Sequence, residues 1–292
     1  MVKLPTLLEM LQAGVHFGHQ RGRWHPKMQE YIFGVRNNVH IIDLEKTLVE
    51  LTRTLEYVKN LASEGKIILF VATKRQARDL VKAAALACGM PFLVERWIGG
   101  MLTNFDEVKK RLRKYNTMME EIRSGEIEKY PKREQIKMKK EVEKMERYLA
   151  GIRDLDKMPD ALYIADMRTE KTALIEAEKK NVTVVSVCDT NVNPEDADYI
   201  IPANDDAVNS IRLMADLIAT TVNEGKALAE KRDGAVREVK KIVPVAPEVK
   251  ADTVAKVEVV EEPAKKVTKA VEKPKAVRTV KTPRVAKKEK EV

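Results

Sequence analysis

All four histidines of this 292-residue chain fall between positions 16 and 40. His16 and His19 stand three apart, a spacing that would suit two metal ligands on one helix face. Gly14 and Gly18 flank them and argue against a stable helix there. Carboxylates that could complete such a set lie far along the chain. Asp189 follows an apolar run, at the strand end where ligands collect in open parallel sheets. Asp205 and Asp206 head a helical stretch, where capping and the helix dipole supply a plainer role. A tetrahedral site needs these groups to converge. Polar anchoring of a loop is the simpler reading, and no metal or other cofactor is assigned.

The signatures of common enzymes are absent. There is no Gly-x-Gly-x-x-Gly turn, no phosphate-binding Gly-x4-Gly-Lys-Ser/Thr loop and no Gly-x-Ser-x-Gly elbow. Phosphate chemistry of another kind remains. Thr73-Lys74-Arg75 follows an apolar strand, and a helix N-terminus bearing Lys74 and Arg75 could hold the phosphate of a nucleotide or of an RNA backbone. Gly18–Lys27 interleaves Arg21, Arg23 and Lys27 with Trp24, two histidines and a proline. Such cations serve phosphate oxygens, and Trp or His can stack on an unpaired base; an ordinary loop whose Trp24 fills the core is the equal alternative. Arg96-Trp97-Ile98-Gly99-Gly100 repeats the theme. The run Lys109, Lys110, Arg111, Arg113, Lys114 sets five cations within six residues.

These groups must be carried by an α/β scaffold. Pro5–Ala13 reads as a short helix, and Gln29–Val35 with Val39–Ile42 as two strands around an Arg-Asn-Asn turn. Asp43 caps a helix that is apolar at Leu44, Leu48, Leu51, Leu55 and Val58. Ile67–Ala72 is a continuous apolar run, as a parallel strand buried on both faces requires. Phe92–Val94, Ala161–Ala165, Val182–Val187 and Tyr199–Ile201 supply further strands, and Lys74–Ala87, Thr169–Lys180 and Asp205–Asn223 further helices. That alternation predicts an open parallel sheet with right-handed crossovers. Between strands, Asp106–Lys157 has 28 charged residues among 52. Its apolar positions (Val108, Leu112, Tyr115, Met119, Ile122, then Met138, Val142, Met145, Leu149, Ile152) step as heptads on either side of Gly125 and Pro131. The spacing predicts an antiparallel coiled-coil hairpin projecting from the sheet domain, which then comprises 1–105 and 158–230.

Charge is uneven. Residues 1–230 carry 36 Lys and Arg against 35 Asp and Glu, whereas 231–292 carry 18 against 10. The last segment holds no aromatic residue and no Leu, so it cannot bury enough apolar area to offset ordering. It reads as a disordered basic tail. The chain has two cysteines, Cys88 and Cys188, which fit a reducing compartment. Its apolar runs fall far short of the ~20 residues of a membrane span, and the N-terminus shows no secretory signal. A cytoplasmic protein without a membrane partner is expected.

Five stretches in order carry a specific resemblance: Gly14–Thr47, Phe70–Ala77 (FVATKRQA), Arg96–Phe105 (RWIGGMLTNF), Pro159–Asp166 (PDALYIAD) and Asp189–Ile211. Spread over nearly all of residues 5–229, they resemble the bacterial-type family of small-subunit ribosomal proteins numbered two. The resemblance implies a flavodoxin-like doubly wound sheet with a protruding coiled-coil hairpin and no catalytic activity. It further implies a place on the ribosome, binding to small-subunit rRNA near the junction of head and body, and help in recruiting the large multidomain mRNA-binding protein among its ribosomal neighbours. The long extension after Glu230 departs from the family pattern. On this reading the phosphate contacts fall to Arg21, Arg23, Lys27, Lys74, Arg75, Arg96 and the run 109–114, with Trp24 beside them. Two rivals differ in class: an enzyme using the sheet crevice near Thr73, Asp189 and Asp205, for which fold alone is no argument, and a coiled-coil adaptor that would not need the loop cations. No small-molecule substrate is expected. Truncation after Glu230 should preserve folding and specific incorporation into the subunit, lowering only the salt-sensitive, sequence-independent part of RNA affinity; backbone NMR order parameters and an incorporation assay check this.

Overall fold

A computed structural model describes residues 3–242, with side chains to Lys231. The expectation of a disordered tail therefore lies, from Val243 onward, outside the described residues. Lys231–Ile242 instead prolong the last helix.

The chain opens with α1 (Leu7–Gln12), held by a capping box in which Thr6 Oγ1 accepts from Glu9 N at 3.2 Å and Glu9 Oε2 accepts from Thr6 N at 2.7 Å. Three short strands follow: β1 (Phe17–Gln20), β2 (Ile32–Arg36) and β3 (Val39–Ile42), paired antiparallel in the order β1-β3-β2. Asn37 and Asn38 have φ of 50° and 62°, the left-handed pair a tight two-residue hairpin needs. The expected strand from Gln29 is shorter, because Pro26–Tyr31 forms a 3₁₀ turn that His25 caps. Strand β1 was not expected at all.

Helix α2 (Leu44–Ser63) starts at the cap foreseen, Asp43 accepting from Glu45 N at 3.0 Å. Then come β4 (Ile68–Val71), α3 (Arg78–Cys88), β5 (Phe92–Leu93), α4 (Phe105–Arg123), α5 (Lys132–Leu149), β6 (Ala161–Ile164), α6 (Lys171–Lys180), β7 (Thr183–Cys188), β8 (Tyr199–Pro202) and α7 (Val208–Ile242). The second sheet is wholly parallel, in the order β5-β4-β6-β7-β8. Counted from its own first strand this is 2-1-3-4-5, an order shared by doubly wound folds.

Alternate residues of the buried strands feed two layers. Ile68, Phe70, Tyr163, Val185 and Ile201 pack with α2, α3 and α7. Leu69, Val71, Leu93, Leu162, Ile164 and Val184 pack with α4, α5 and α6. Both heptad series of the charged segment enter this second layer: Val108, Leu112, Tyr115, Val142, Leu149 and Ile152 are buried in it, with Met119, Ile122, Met138 and Met145 against it. The base of α4 and α5 is thus continuous with the layer covering the sheet. No helix among the described residues is long and apolar enough to cross a membrane.

Helices α2 and α7 meet at Gly225, where a Cβ would stand 2.5 Å from Ala62 Cβ and 2.7 Å from the Lys59 carbonyl. Gly to Ala inside a helix ordinarily stabilises by about 1 kcal/mol; here the crowding reverses the sign. G225A is expected to cost about 1–3 kcal/mol, read as a lowered urea midpoint. G99A, whose Cβ would meet nothing within 4 Å, should stay within about 0.5 kcal/mol of the parent.

Candidate nucleic-acid interface

A parallel sheet brings all its strand C-termini to one edge. Here that edge gathers Lys74, beyond β4, with Asp166, Asp189 and Asp205, which follow β6, β7 and β8. The Lys74 ammonium lies 2.9 Å from Asp205 Oδ1, 2.7 Å from Asp206 Oδ1 and 3.6 Å from Asp166 Oδ2, and also donates to the Asp205 carbonyl at 2.8 Å. Its side chain is 16% exposed. The expected phosphate ligand is therefore committed to internal carboxylates. Nor does a helix begin at Thr73: α3 starts at Arg78, and Thr73 N donates to Glu170 Oε1 at 2.8 Å. The anion at this position belongs to the protein itself.

Of the histidines, only His19 joins the cluster. Strand β1 sets its Nδ1 3.1 Å from Asp189 Oδ2 and its Nε2 3.5 Å from Asp206 Oδ2, while its backbone N–H donates to Thr190 Oγ1 at 2.9 Å. Gly18 permits this approach, since a Cβ there would stand 2.6 Å from Thr190 Cγ2. His16 lies elsewhere, its ring 4.0 Å from that of Phe17. His19, Asp205 and Asp206 could present three ligand atoms within 4.8 Å of one another, in the space that Lys74 already neutralises. Asp205 and Asp206 precede α7, which begins at Val208, and lie in a turn closed by Asn204, whose Oδ1 accepts from Asp206 N at 2.8 Å and Ala207 N at 3.2 Å.

The loop cations lie differently. Arg21, Arg23, Arg75, Arg96, Arg111 and Arg113 are exposed, and none makes a side-chain hydrogen bond or ion pair among the described residues. Lys27 pairs with Glu195. Along α4, Lys110 pairs with Glu107 and Lys114 with Glu141 of α5, each at 2.6 Å, and Lys109 donates to the Asp156 carbonyl at 3.0 Å. Surface pairs of this kind are worth about 0–1 kcal/mol and exchange readily for a phosphate. Trp24 lies against the buried His40, ring centroids 5.4 Å apart, and remains 37% exposed. Trp97 is buried instead, its Nε1 donating to Glu176 Oε1 at 3.1 Å.

Glu176 is the residue the sequence reading missed. Besides Trp97, its carboxylate accepts from the backbone N–H of Gly100, Leu102 and Thr103 at 2.8, 3.1 and 3.2 Å, and from the Thr103 hydroxyl at 3.1 Å. Burial alone would raise its pKa, but this ring of donors holds it below the usual value. The loop leading into α4 is thereby fastened to α6.

Burial, with Asp189 and Asp166 nearby, pushes Asp205 up to about 7 despite Lys74. The hydrogen bond to Asp189 likewise raises His19, against its burial. Both groups bind protons more tightly folded than unfolded. The share of stability due to Asp205 is thus full below about pH 4 and is lost as pH rises towards 7; that due to His19 is lost as pH rises through a value above its unfolded 6.5. D205N should make the fall in unfolding free energy between pH 4.5 and 7.5 smaller by about 1–3 kcal/mol, measured by urea titration at both pH values. A profile parallel to that of the parent would show that Asp205 titrates normally.

A family model described as ribosomal protein S2 matches residues 10–225. The small ribosomal subunit protein uS2 of Koribacter versatilis is 47% identical over 226 residues, covering 77% of this chain and 75% of its own. Those of Aliarcobacter butzleri and Endomicrobium trichonymphae are 42% and 45% identical, covering 86% and 78% of this chain and 92% and 93% of their own. With identity at this level, and a family match that spans both sheets and the charged segment between β5 and β6, one conclusion is left: the chain belongs to the ribosomal protein S2 family, a structural and non-enzymatic family of the small ribosomal subunit.

Proposed function

We propose that the protein is a structural constituent of the bacterial small ribosomal subunit, acting in the cytoplasm by binding small-subunit rRNA and helping to recruit the large mRNA-binding ribosomal protein. The observation that carries the RNA reading is the set of six exposed arginines that make no side-chain hydrogen bond or ion pair among the described residues, Arg21, Arg23, Arg75, Arg96, Arg111 and Arg113. An Arg kept in water without a carboxylate offers its planar fork to phosphate oxygens. Lys27, Lys110 and Lys114 add charges held only by surface ion pairs, Lys109 one bonded to the Asp156 carbonyl, and Trp24 a partly open ring. Lys74 serves instead as the internal counter-ion that shapes the loops carrying the others. Binding of this kind follows backbone shape and charge more than base sequence.

In the same reading α4 and α5 form a coiled-coil arm, 106–157, on a sheet domain made of 1–105 and 158–230, and residues 231–292 act as a basic extension. The Lys114–Glu141 pair and the shared apolar seam support the arm. The enzyme alternative near Thr73, Asp189 and Asp205 loses its rationale, because Lys74 and Glu170 supply the charges a substrate would have met.

The full chain should co-sediment with small-subunit particles, and its affinity for small-subunit rRNA should fall linearly on a log–log plot against salt. R111A/R113A should flatten that slope by about 0.7–0.9 for each phosphate left unneutralised. Recovery only away from ribosomal particles would overturn the assignment. An unaltered slope would remove Arg111 and Arg113 from the interface.

A further inference from the structure

The two faces of the three-stranded sheet differ at β3, where His40 and Ile42 are buried while Val39 and Ile41 are only partly so, which makes the face of Val39 and Ile41 the more open one. Register places Phe17, Ile41 and Gly34 in one row across β1, β3 and β2, and Gln20, Val39 and Arg36 in another. Residues directly opposite in antiparallel strands share a face. The intervening pair, Val35 and His40, belongs to the other face, where His40 is buried against Trp24 and Val35, at the edge, is half exposed. On the open face Phe17 is 49% exposed, Gln20 and Arg36 are exposed, and a Cβ on Gly34 would meet nothing within 4 Å. Phe33 occupies the irregularity between Ile32 and Gly34, where a bulge re-aims a side chain. At 80% exposure it is the most open large apolar side chain among the described residues.

Charge indicates what covers this face. Residues 16–42 contain Arg21, Arg23, Lys27 and Arg36 against one acid, Glu30. Arg21, Arg23 and Arg36 are exposed and without a side-chain hydrogen bond or ion pair among the described residues. The apolar area is small and interrupted by Gly34 and Gln20, whereas a stable protein interface needs about 800 Å² from each partner. An unpaired base needs only the face of one ring, with a cation for its phosphate.

We infer that the open face is a stacking platform for an unpaired stretch of RNA, with Phe33 and Phe17 under bases and Arg21 and Arg36 on the adjoining phosphates. The inference deepens the rRNA-binding reading and rests on it. None of these aromatic rings stood out in the sequence, where the paired arginines drew attention to Trp24 instead.

The test titrates the full chain, at fixed salt, with single-stranded octauridylate and with an RNA duplex of equal length. F33A is expected to weaken octauridylate binding by about fivefold to a hundredfold, with duplex affinity and thermal unfolding unchanged, and F33W to restore it. R36A should reduce the salt dependence of single-strand binding by the share of about one phosphate. Equal octauridylate affinity for the parent and F33A overturns the platform. So does a set of F33A particles that keep their RNA affinity but lose a neighbouring protein, which would mark the face as a protein contact. A parent chain that binds neither probe and does not sediment with small subunits overturns the rRNA reading itself, an outcome distinct from either.

Discussion

One ammonium group holds the molecule's most crowded edge together. A parallel sheet has to deliver its strand C-termini to the same place, and in this chain three of the residues delivered there are buried aspartates. Removing carboxylates from water costs several kcal/mol per ion unless a counter-charge is close. Lys74, from the loop after β4, provides it across the cluster. The arrangement also fixes what lies above. His19 reaches Asp189 and Asp206, Thr190 receives the backbone N–H of His19, and the His25 N–H donates to the Thr190 carbonyl at 2.7 Å. The small antiparallel sheet is docked through those contacts, so the position of its exposed arginines traces back to the charge balance underneath.

The same balance lets a nearly neutral body present positive charge to solvent, as the proposed binding of rRNA requires. Acids are preferentially used inside or in helix-surface pairs: Asp166, Glu170, Glu176, Asp189 and Asp205 are buried, each with internal donors or a counter-ion. Cations that are not consumed in this way remain outside. A total of 36 bases against 35 acids over residues 1–230 therefore understates the positive charge available to solvent on the loops.

How much of this was legible in the chain depended on whether the signal was local. Strands β4, β6 and β7 are buried on both faces, so each had to be an unbroken apolar run, and each was found within a residue or two of its ends. Helix α2 carried both a cap and a clean apolar stripe. Strand β1 had neither: four residues with a Gly and a His show no alternation, and only pairing with β3 makes them a strand. The ion pairs of Lys74 escaped the sequence for the same reason. Its three carboxylates lie 92 to 132 positions away, and nothing nearby distinguishes a lysine bound inward from one facing RNA. Glu176 sits in a helix where a solvated acid would look identical; its five donors come from residues 97–103.

That clasp has a mechanical side. Helix α4, 19 residues long, extends about 28 Å, and its first turn follows directly on the loop that Glu176 grips. Any looseness at the root is magnified along such a lever: a tilt of about 5° would carry the far end through ~2.5 Å over that length, several times the ~0.5 Å window of donor–acceptor distances in a hydrogen bond. A single carboxylate with five donors is thus a fulcrum, and together with the apolar packing at the base of α4 its stiffness governs the aim of what lies beyond it.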